Sequence, residues 1–311
     1  MPELPEVTTT TNGLQKVLPS LVIQDVWTDL AKDTVSRKDF LHTIKNKKFF
    51  QKFKKEIVGK KVIKVERRAK NILIHLEGNN TILIHLKMTG HLLFGNYVYN
   101  KKENTWAPHK EEDEAFHDPY NRFIHVVFSF LINKKEKHLA FCDSRKFGKV
   151  TLIPTNTMHD TMHLKGVGPE PLNPDFSFDK FQKILTNKNG KIKTILMDQY
   201  IIAGIGNIYS DEMLWLSGIH PESLFSNIPT KIQKKLFDSM KDVLNKGIDF
   251  GGDSMSDYRD INGKKGNFQN HHNVYRKTNE HCGKRGCNGV IIRKVVGGRS
   301  AHFCNIHQIK F

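Results

Sequence analysis

The chain has 311 residues, of which 38% are hydrophobic and 26% charged, long enough for two domains and too apolar to be disordered throughout. Lys and Arg number 49 against 32 Asp and Glu, a formal net charge of +17, which points to a polyanionic partner, nucleic acid ahead of an acidic membrane surface. No run approaches the roughly 20 apolar residues that cross a bilayer. The start, Met1-Pro2-Glu3-Leu4-Pro5-Glu6, lacks the basic residues and apolar stretch of a secretory signal, so a cytosolic location is expected.

Up to about Val150 the chain reads as short apolar runs broken by turns. Between Lys45 and Lys70, twelve Lys and Arg stand against only Glu56 and Glu66. That is either a nucleic-acid patch or a solvated lysine-rich face, and composition leaves both open. Ile72–Leu76 and Thr81–Leu86 predict two strands joined by the turn Glu77-Gly78-Asn79-Asn80. Phe123–Ile132 and His138–Cys142 predict a second pair across the polar loop 133–137. Together they imply a β-rich domain, a sandwich. The first pair runs into Lys87-Met88-Thr89-Gly90 and the second into Asp143-Ser144-Arg145-Lys146-Phe147-Gly148, so two tips are expected at the sheet edge. Cys142 reads as a packed strand residue.

From Leu152 to Pro174 glycines and prolines accumulate, marking a domain boundary. Helical periodicity follows over Phe178–Leu185, Ile192–Met197, Asp211–Leu216 and Lys231–Leu244. Ala203-Gly204-Ile205-Gly206-Asn207 places a glycine turn and a capping Asn ahead of the third helix. This is either a phosphate site with exposed backbone N–H groups or a plain packing turn. Gly251–Asn273 reads as a long mobile loop. Three of the four cysteines then fall near the end, in the spacing Cys282-x4-Cys287-x16-Cys304-x2-His307. In a reducing compartment, two ligand pairs flanking a hairpin suit tetrahedral Zn²⁺. Val290–Val296, the Gly297-Gly298 turn and Arg299–Phe303 supply that hairpin. Metal would replace the core that so short a hairpin cannot build.

These features, in this order and at these intervals, resemble the formamidopyrimidine-DNA glycosylase/endonuclease VIII family. The motifs are Met1 to Val7, Arg67-Arg68-Ala69-Lys70, His85 to Gly90, Asp143 to Gly148, Gly168-Pro169-Glu170-Pro171-Leu172, Gly204 to Tyr209, Gly298-Arg299-Ser300 and Cys304-x2-His307-Gln308. The resemblance spans nearly the whole chain. It implies an α+β protein: an N-terminal β-sandwich over 1–153, a linker over 154–172, a helix-two-turn-helix domain over 173–270 and a zinc-bound β-hairpin over 271–311.

The family's chemistry then carries over residue by residue. Once Met1 is removed, Pro2 would offer a secondary amine that attacks the sugar C1′ and drives strand cleavage by elimination, with Glu3 shuttling protons. Glu6 would hold the terminus in place. Lys70 would aid elimination and touch phosphate, and Arg299 at the hairpin tip would grip phosphate and assist δ-elimination. Asn207 would bind the same backbone, so that the two domains clamp one phosphate region. Met88 and Phe147 would plug the gap left by a flipped nucleotide while Arg145 meets the widowed base. Tyr275 is expected to meet the DNA backbone.

Some positions depart from the family pattern. Its usual C-x2-C-x16-C-x2-C becomes a longer first knuckle with His307 in the fourth place. Phe123 stands where relatives carry a phosphate-binding histidine, leaving Arg122 or His125 for that contact. Asn71 replaces an aromatic or aliphatic residue, and the lysine-rich stretches near 45–55 and 101–120 have no family role. The function implied is a monomeric glycosylase and abasic-site lyase, acting on duplex DNA in the bacterial cytoplasm and associated with the nucleoid when bound. Oxidised purines are its expected substrates, because Met88, Arg145, Phe147 and the Asp257–Phe268 loop resemble the purine-lesion branch. The alternatives are an oxidised-pyrimidine enzyme and a damage-binding protein that does not cut.

Overall fold

The computed structural model describes residues 1–35 and 37–311. The chain divides into two compact units, Met1–Lys165 with Gly251–Asn267, and Gly166–Phe250 with Phe268–Phe311.

The first unit begins with α1 (Leu4–Val17), where Glu3 and Glu6 form a reciprocal capping box and proline sits in the first turn, a position whose N–H has no helical partner anyway. Four consecutive threonines, 8–11, hide this helix in the sequence. Thr8 and Thr10 donate their hydroxyls back to the Leu4 and Glu6 carbonyls, so two of the four bond within the helix rather than against it. Then come β1 (Ile23–Thr28), α2 (Lys47–Ile57), β2 (Val62–Arg68), β3 (Asn71–Leu76), β4 (Asn80–His85), β5 (His91–Gly95), β6 (Tyr97–Asn100), β7 (Thr105–Pro108), β8 (Ile124–Ile132), β9 (Lys135–Cys142) and β10 (Lys149–Pro154). Two antiparallel four-stranded sheets result, ordered β1-β8-β9-β5 and β10-β4-β3-β2, with β6–β7 as a separate hairpin. Val26, Phe128 and Phe141 of one sheet and Ile72, Ile74, Ile82 and Ile84 of the other share one core with Leu14 of α1 and Phe53 and Ile57 of α2. Each such side chain contributes about 1.5–3 kcal/mol when fully buried.

Both expected strand pairs are present as β3–β4 and β8–β9. The second loop is shorter than expected, because Asn133 and Lys134 both adopt left-handed φ (51° and 64°) and close a two-residue turn. The charged residues 135–137 therefore extend β9 instead of forming a loop. The lysine-rich stretch after Lys45 is α2, capped by Asn46 onto the Phe49 N–H, with Phe53 and Ile57 buried four residues apart. Its lysines line the opposite face. Cys142 is fully buried on β9. Gly251–Asn267 forms neither helix nor strand, yet it is built into this unit. Ile261 joins the sandwich core and its carbonyl accepts the Phe94 N–H at 2.8 Å. Arg259 is buried against Asp118 and two backbone carbonyls.

In the second unit α3 (Phe178–Thr186), α4 (Ile192–Met197), α5 (Asn207–Ser217) and α6 (Thr230–Asp249) precede the hairpin β11 (Ile291–Val296) and β12 (Arg299–Cys304). Phe176, Phe181, Phe225 and Phe237 make edge-on and tilted ring contacts in the helical core. Gly218 ends α5 in the left-handed conformation (φ 80°). One expectation is corrected here. Asn207 is the first residue of α5 rather than its cap; Gly206 is the N-cap and no side chain caps this end.

Candidate nucleic-acid interface

At the amino terminus the Glu6 carboxylate, 1% exposed, accepts the Glu3 N–H at 2.6 Å and the Asp253 N–H at 2.8 Å. Its carbonyl accepts from the Tyr258 hydroxyl and Thr10. Burial pushes the Tyr258 phenol far up, so it stays a neutral donor. Pro2 and Glu3 are thereby held at the positive end of α1, both buried.

Three loops present further side chains, and each does so from a non-glycine residue in the left-handed region. Ala69 (φ 54°) precedes Lys70, Lys87 (φ 58°) precedes Met88, and Lys146 (φ 55°) precedes Phe147. Such conformations cost about 1–3 kcal/mol each and persist where surroundings enforce them. For two loops the enforcing group is Asp143, which in the sequence merely opens the motif of the second tip. Its buried carboxylate accepts from the Thr89 hydroxyl of the first tip and from the Arg145 and Gly148 N–H groups of the second. Met88 (37% exposed) and Phe147 (40%) thus stand on two joined loops, and the Arg145 guanidinium lies 4.7 Å from the Phe147 ring centroid. A Cβ on Gly148 would come within 2.3 Å of the Phe141 ring, so only glycine lets this turn close.

His85 opens the motif of the first tip, which by itself gives it no role. It pairs with Asn71 on β3 and with Lys149 on β10. Its Nδ1 accepts the Lys87 N–H. Burial, with Lys87, Lys70 and Lys149 nearby, drives its pKa well down, leaving a neutral ring. Recognising it requires the sheet register, which no local pattern supplies. Arg122 is exposed and lies over the Phe123 ring. His125 is buried with Nδ1 2.9 Å from Asp29. Of the two, Arg122 carries the exposed cation.

In the second unit Gln199 braces the glycine turn, donating to the Ile205 carbonyl and accepting the Gly204 N–H. That corrects the expectation of exposed N–H groups for Gly204. The Asn207 Oδ1, by contrast, is buried without a hydrogen-bond partner among the described residues. Asp211 of α5 pairs with Lys193 inside the unit and accepts from the His302 backbone and ring on β12. Glu212 accepts the N–H groups of Asn273, Val274 and Tyr275. Two adjacent carboxylates therefore orient both the hairpin and the chain leading into it, Tyr275 included.

Arg299 is exposed just past Gly297 (φ 58°) and Gly298 (φ 75°). It has no ion-pair partner among the described residues. Gly297 packs so closely on α4 that a Cβ would sit 2.1 Å from the Thr194 methyl. Glu222 fixes the same hairpin, bonded to Lys191 and to Lys294 of β11. Those two bonds hold its carboxyl at about 2.

Cys282 Sγ lies 3.2 Å from His307 Nδ1 and Cys287 Sγ 3.6 Å from Cys304 Sγ, with all four donor atoms within 4.8 Å of one another. A tetrahedral ion with bonds of about 2.0–2.3 Å separates its donors by about 3.3–3.8 Å. The hydrogen bonds around these donors fit a metal too. His307 Nε2 donates to the Trp215 carbonyl, turning the Nδ1 lone pair towards the cysteines, and the Trp215 indole N–H donates to Cys282 Sγ. The cluster could hold one metal ion.

The family model for the formamidopyrimidine-DNA glycosylase N-terminal domain matches residues 1–150, and that for the formamidopyrimidine-DNA glycosylase H2TH domain matches 167–259. A formamidopyrimidine-DNA glycosylase of Pelotomaculum thermopropionicum is 36% identical over 304 residues, covering 98% of each chain. One from Caulobacter vibrioides is 33% identical over 99% of this chain and 100% of its own. Among solved structures, the Lactococcus lactis enzyme bound to abasic-site DNA superposes with a TM-score of 0.80 at 30% identity, over 99% of this chain and 100% of that one. The same enzyme with N7-benzyl-Fapy-dG DNA also gives 0.80, at 31% identity. The chain belongs to the formamidopyrimidine-DNA glycosylase family, whose members are DNA glycosylases and abasic-site lyases.

Proposed function

We propose that this chain excises oxidised purines, 8-oxoguanine and formamidopyrimidines, from double-stranded DNA as a monomer and then cuts the strand by β,δ-elimination. With Met1 removed, the Pro2 nitrogen attacks C1′ of the damaged nucleotide. The base leaves, and a Schiff base joins the sugar to the protein. The positive end of α1 disfavours the protonated amine and so favours the nucleophilic form. Glu3 moves protons at the sugar. Lys70 assists elimination, and Arg299 and Asn207 bind the phosphate beside the lesion, Asn207 by donating its amide N–H₂. Met88 and Phe147 fill the unstacked step and Arg145 meets the widowed base. Arg122 or His125 takes the remaining phosphate contact and Tyr275 touches the backbone. Cys282, Cys287, Cys304 and His307 would hold one structural Zn²⁺, which cross-links a hairpin too small for a core of its own.

The observation that carries this reading is the pinned amino terminus, with Glu3 and Asp253 both donating to Glu6. Borohydride reduction during turnover of an 8-oxoguanine duplex tests it. Wild type should form a covalent protein–DNA adduct, and Pro2→Gly should form far less. An active wild type without adduct, or a full yield in Pro2→Gly, overturns the assignment. A thymine-glycol duplex run in parallel should be cleaved more slowly than the purine lesions.

A further inference from the structure

The first unit holds more cations around β4 and β10 than the proposed chemistry uses. Asn71, His85 and Lys149 stand opposite one another on three neighbouring strands, so their side chains share a face. It is the outer face, whose Leu73, Leu83 and Ile153 pack under Leu164 rather than in the sandwich core. The segment 37–45 forms one wall: Ile44 bonds to Val150 and the Thr151 hydroxyl to the His42 carbonyl. Arg37 and Lys149 both reach Asp39, at 2.9 and 3.1 Å. Lys45, largely buried, donates to the Lys146 carbonyl and lies over the Phe40 ring.

Lys87 completes the basin and has the least company. It is half-buried and held at a left-handed φ. Its ammonium makes no hydrogen bond or ion pair among the described residues. The charges around it are Lys149, Arg37 and a single carboxylate, Asp39. Burial, and then the positive charge of Lys149, His42 and Lys87, holds the nearby His163 below the usual histidine pKa. Crowding like charges in a half-buried place destabilises the free protein. A resident polyanion would reverse that sign.

We propose that this basin is a second backbone-phosphate site, in which Lys87, Lys149 and Arg37 grip a phosphodiester flanking the lesion. This inference rests on the DNA-repair reading given above. Two strand spacings place Lys149 about 10 Å from Asn71, the neighbour of Lys70, so one DNA strand can meet both cationic places. Asp39 occupies the anion position in the free protein, and the phosphate competes with it for Arg37 and Lys149.

The test measures binding of undamaged and abasic-analogue duplexes by fluorescence anisotropy at several salt concentrations, for wild type, Lys87→Met and Asp39→Asn. Lys87→Met should bind both duplexes roughly three- to tenfold more weakly, with the salt slope reduced by about 0.9, the signature of one lost phosphate contact. Its melting temperature should equal or exceed that of wild type, because a repelled charge has gone. Asp39→Asn should bind more tightly, because a competitor has gone. Wild-type affinity and slope in Lys87→Met overturn the inference. So does a loss of affinity that appears only with a lower melting temperature. A protein that binds undamaged duplex with the Lys87 dependence but never cleaves lesion DNA upholds the basin and removes the glycosylase reading. Lesion cleavage with Lys87→Met indistinguishable from wild type does the reverse.

Discussion

Replacing Glu6 tests whether the amino terminus is held for chemistry or only for folding. The carboxylate accepts two buried backbone N–H groups, from Glu3 and Asp253, at 2.6 and 2.8 Å. Hydrogen bonds to a charged acceptor contribute about 1.5–3 kcal/mol each, and removing the acceptor leaves the donors desolvated. Glu6→Ala should therefore cost about 3–6 kcal/mol of stability. Glu6→Gln keeps one oxygen but turns an amide N–H₂ towards the second donor, so about 2–3 kcal/mol is expected. Denaturant unfolding of the full chain measures both. In Glu6→Gln, borohydride trapping at a pre-formed abasic site should slow by roughly ten- to a hundredfold, the scale of a misplaced reacting group. Binding to an abasic analogue should change little. Wild-type stability together with a wild-type trapping rate in Glu6→Gln would refute the reasoning.

Arg299→Ala should weaken lesion binding by about 1.5–3 kcal/mol and flatten the salt slope by about one contact, with metal content unchanged; equal binding across salt would make the tip mere solvent-facing decoration. Elemental analysis should find about one Zn²⁺ per chain, and His307→Ala should lose metal and DNA binding before the first unit's fold, whereas active, metal-free protein contradicts the site. Glu222 carries a depressed carboxyl, near 2 against the usual 4.5, so its contribution is complete above about pH 4.5 and disappears as pH falls towards 2. Glu222→Gln should accordingly be less stable than wild type at pH 7, and the two should converge near pH 2; a constant difference across that window would show that its lysine pairs do not act through charge.

Features coded within a few neighbouring residues were legible in the sequence. The Cys282–His307 spacing, the Gly297-Gly298 turn and the two strand pairs need only local chemistry, and each has its counterpart in the structure. The two tips bearing Met88 and Phe147 were located the same way. Positions defined by register or by distant partners were not legible. Asp143 is an ordinary turn aspartate until Thr89, 54 residues away, is seen to donate to it. His85 gains meaning only from Lys149 across the sheet. Helix α1 was obscured because its threonines suggest strand, and α2 because its charge drew more notice than the spacing of Phe53 and Ile57. Asn207 fits an N-cap by residue type, but the preceding glycine takes that geometry.

The return of Gly251–Asn267 to the first unit sets an order on biosynthesis. Ile261 belongs to the sandwich core, and the Asp253 N–H and Tyr258 hydroxyl anchor Glu6. A nascent chain that has released residue 165 lacks these groups. At about 5–20 residues per second the ribosome needs roughly 5–20 s more to supply them. Throughout that interval Pro2 and Glu3 lack the anchors that hold them. Pro2 is thus among the first residues made and among the last to be set in place.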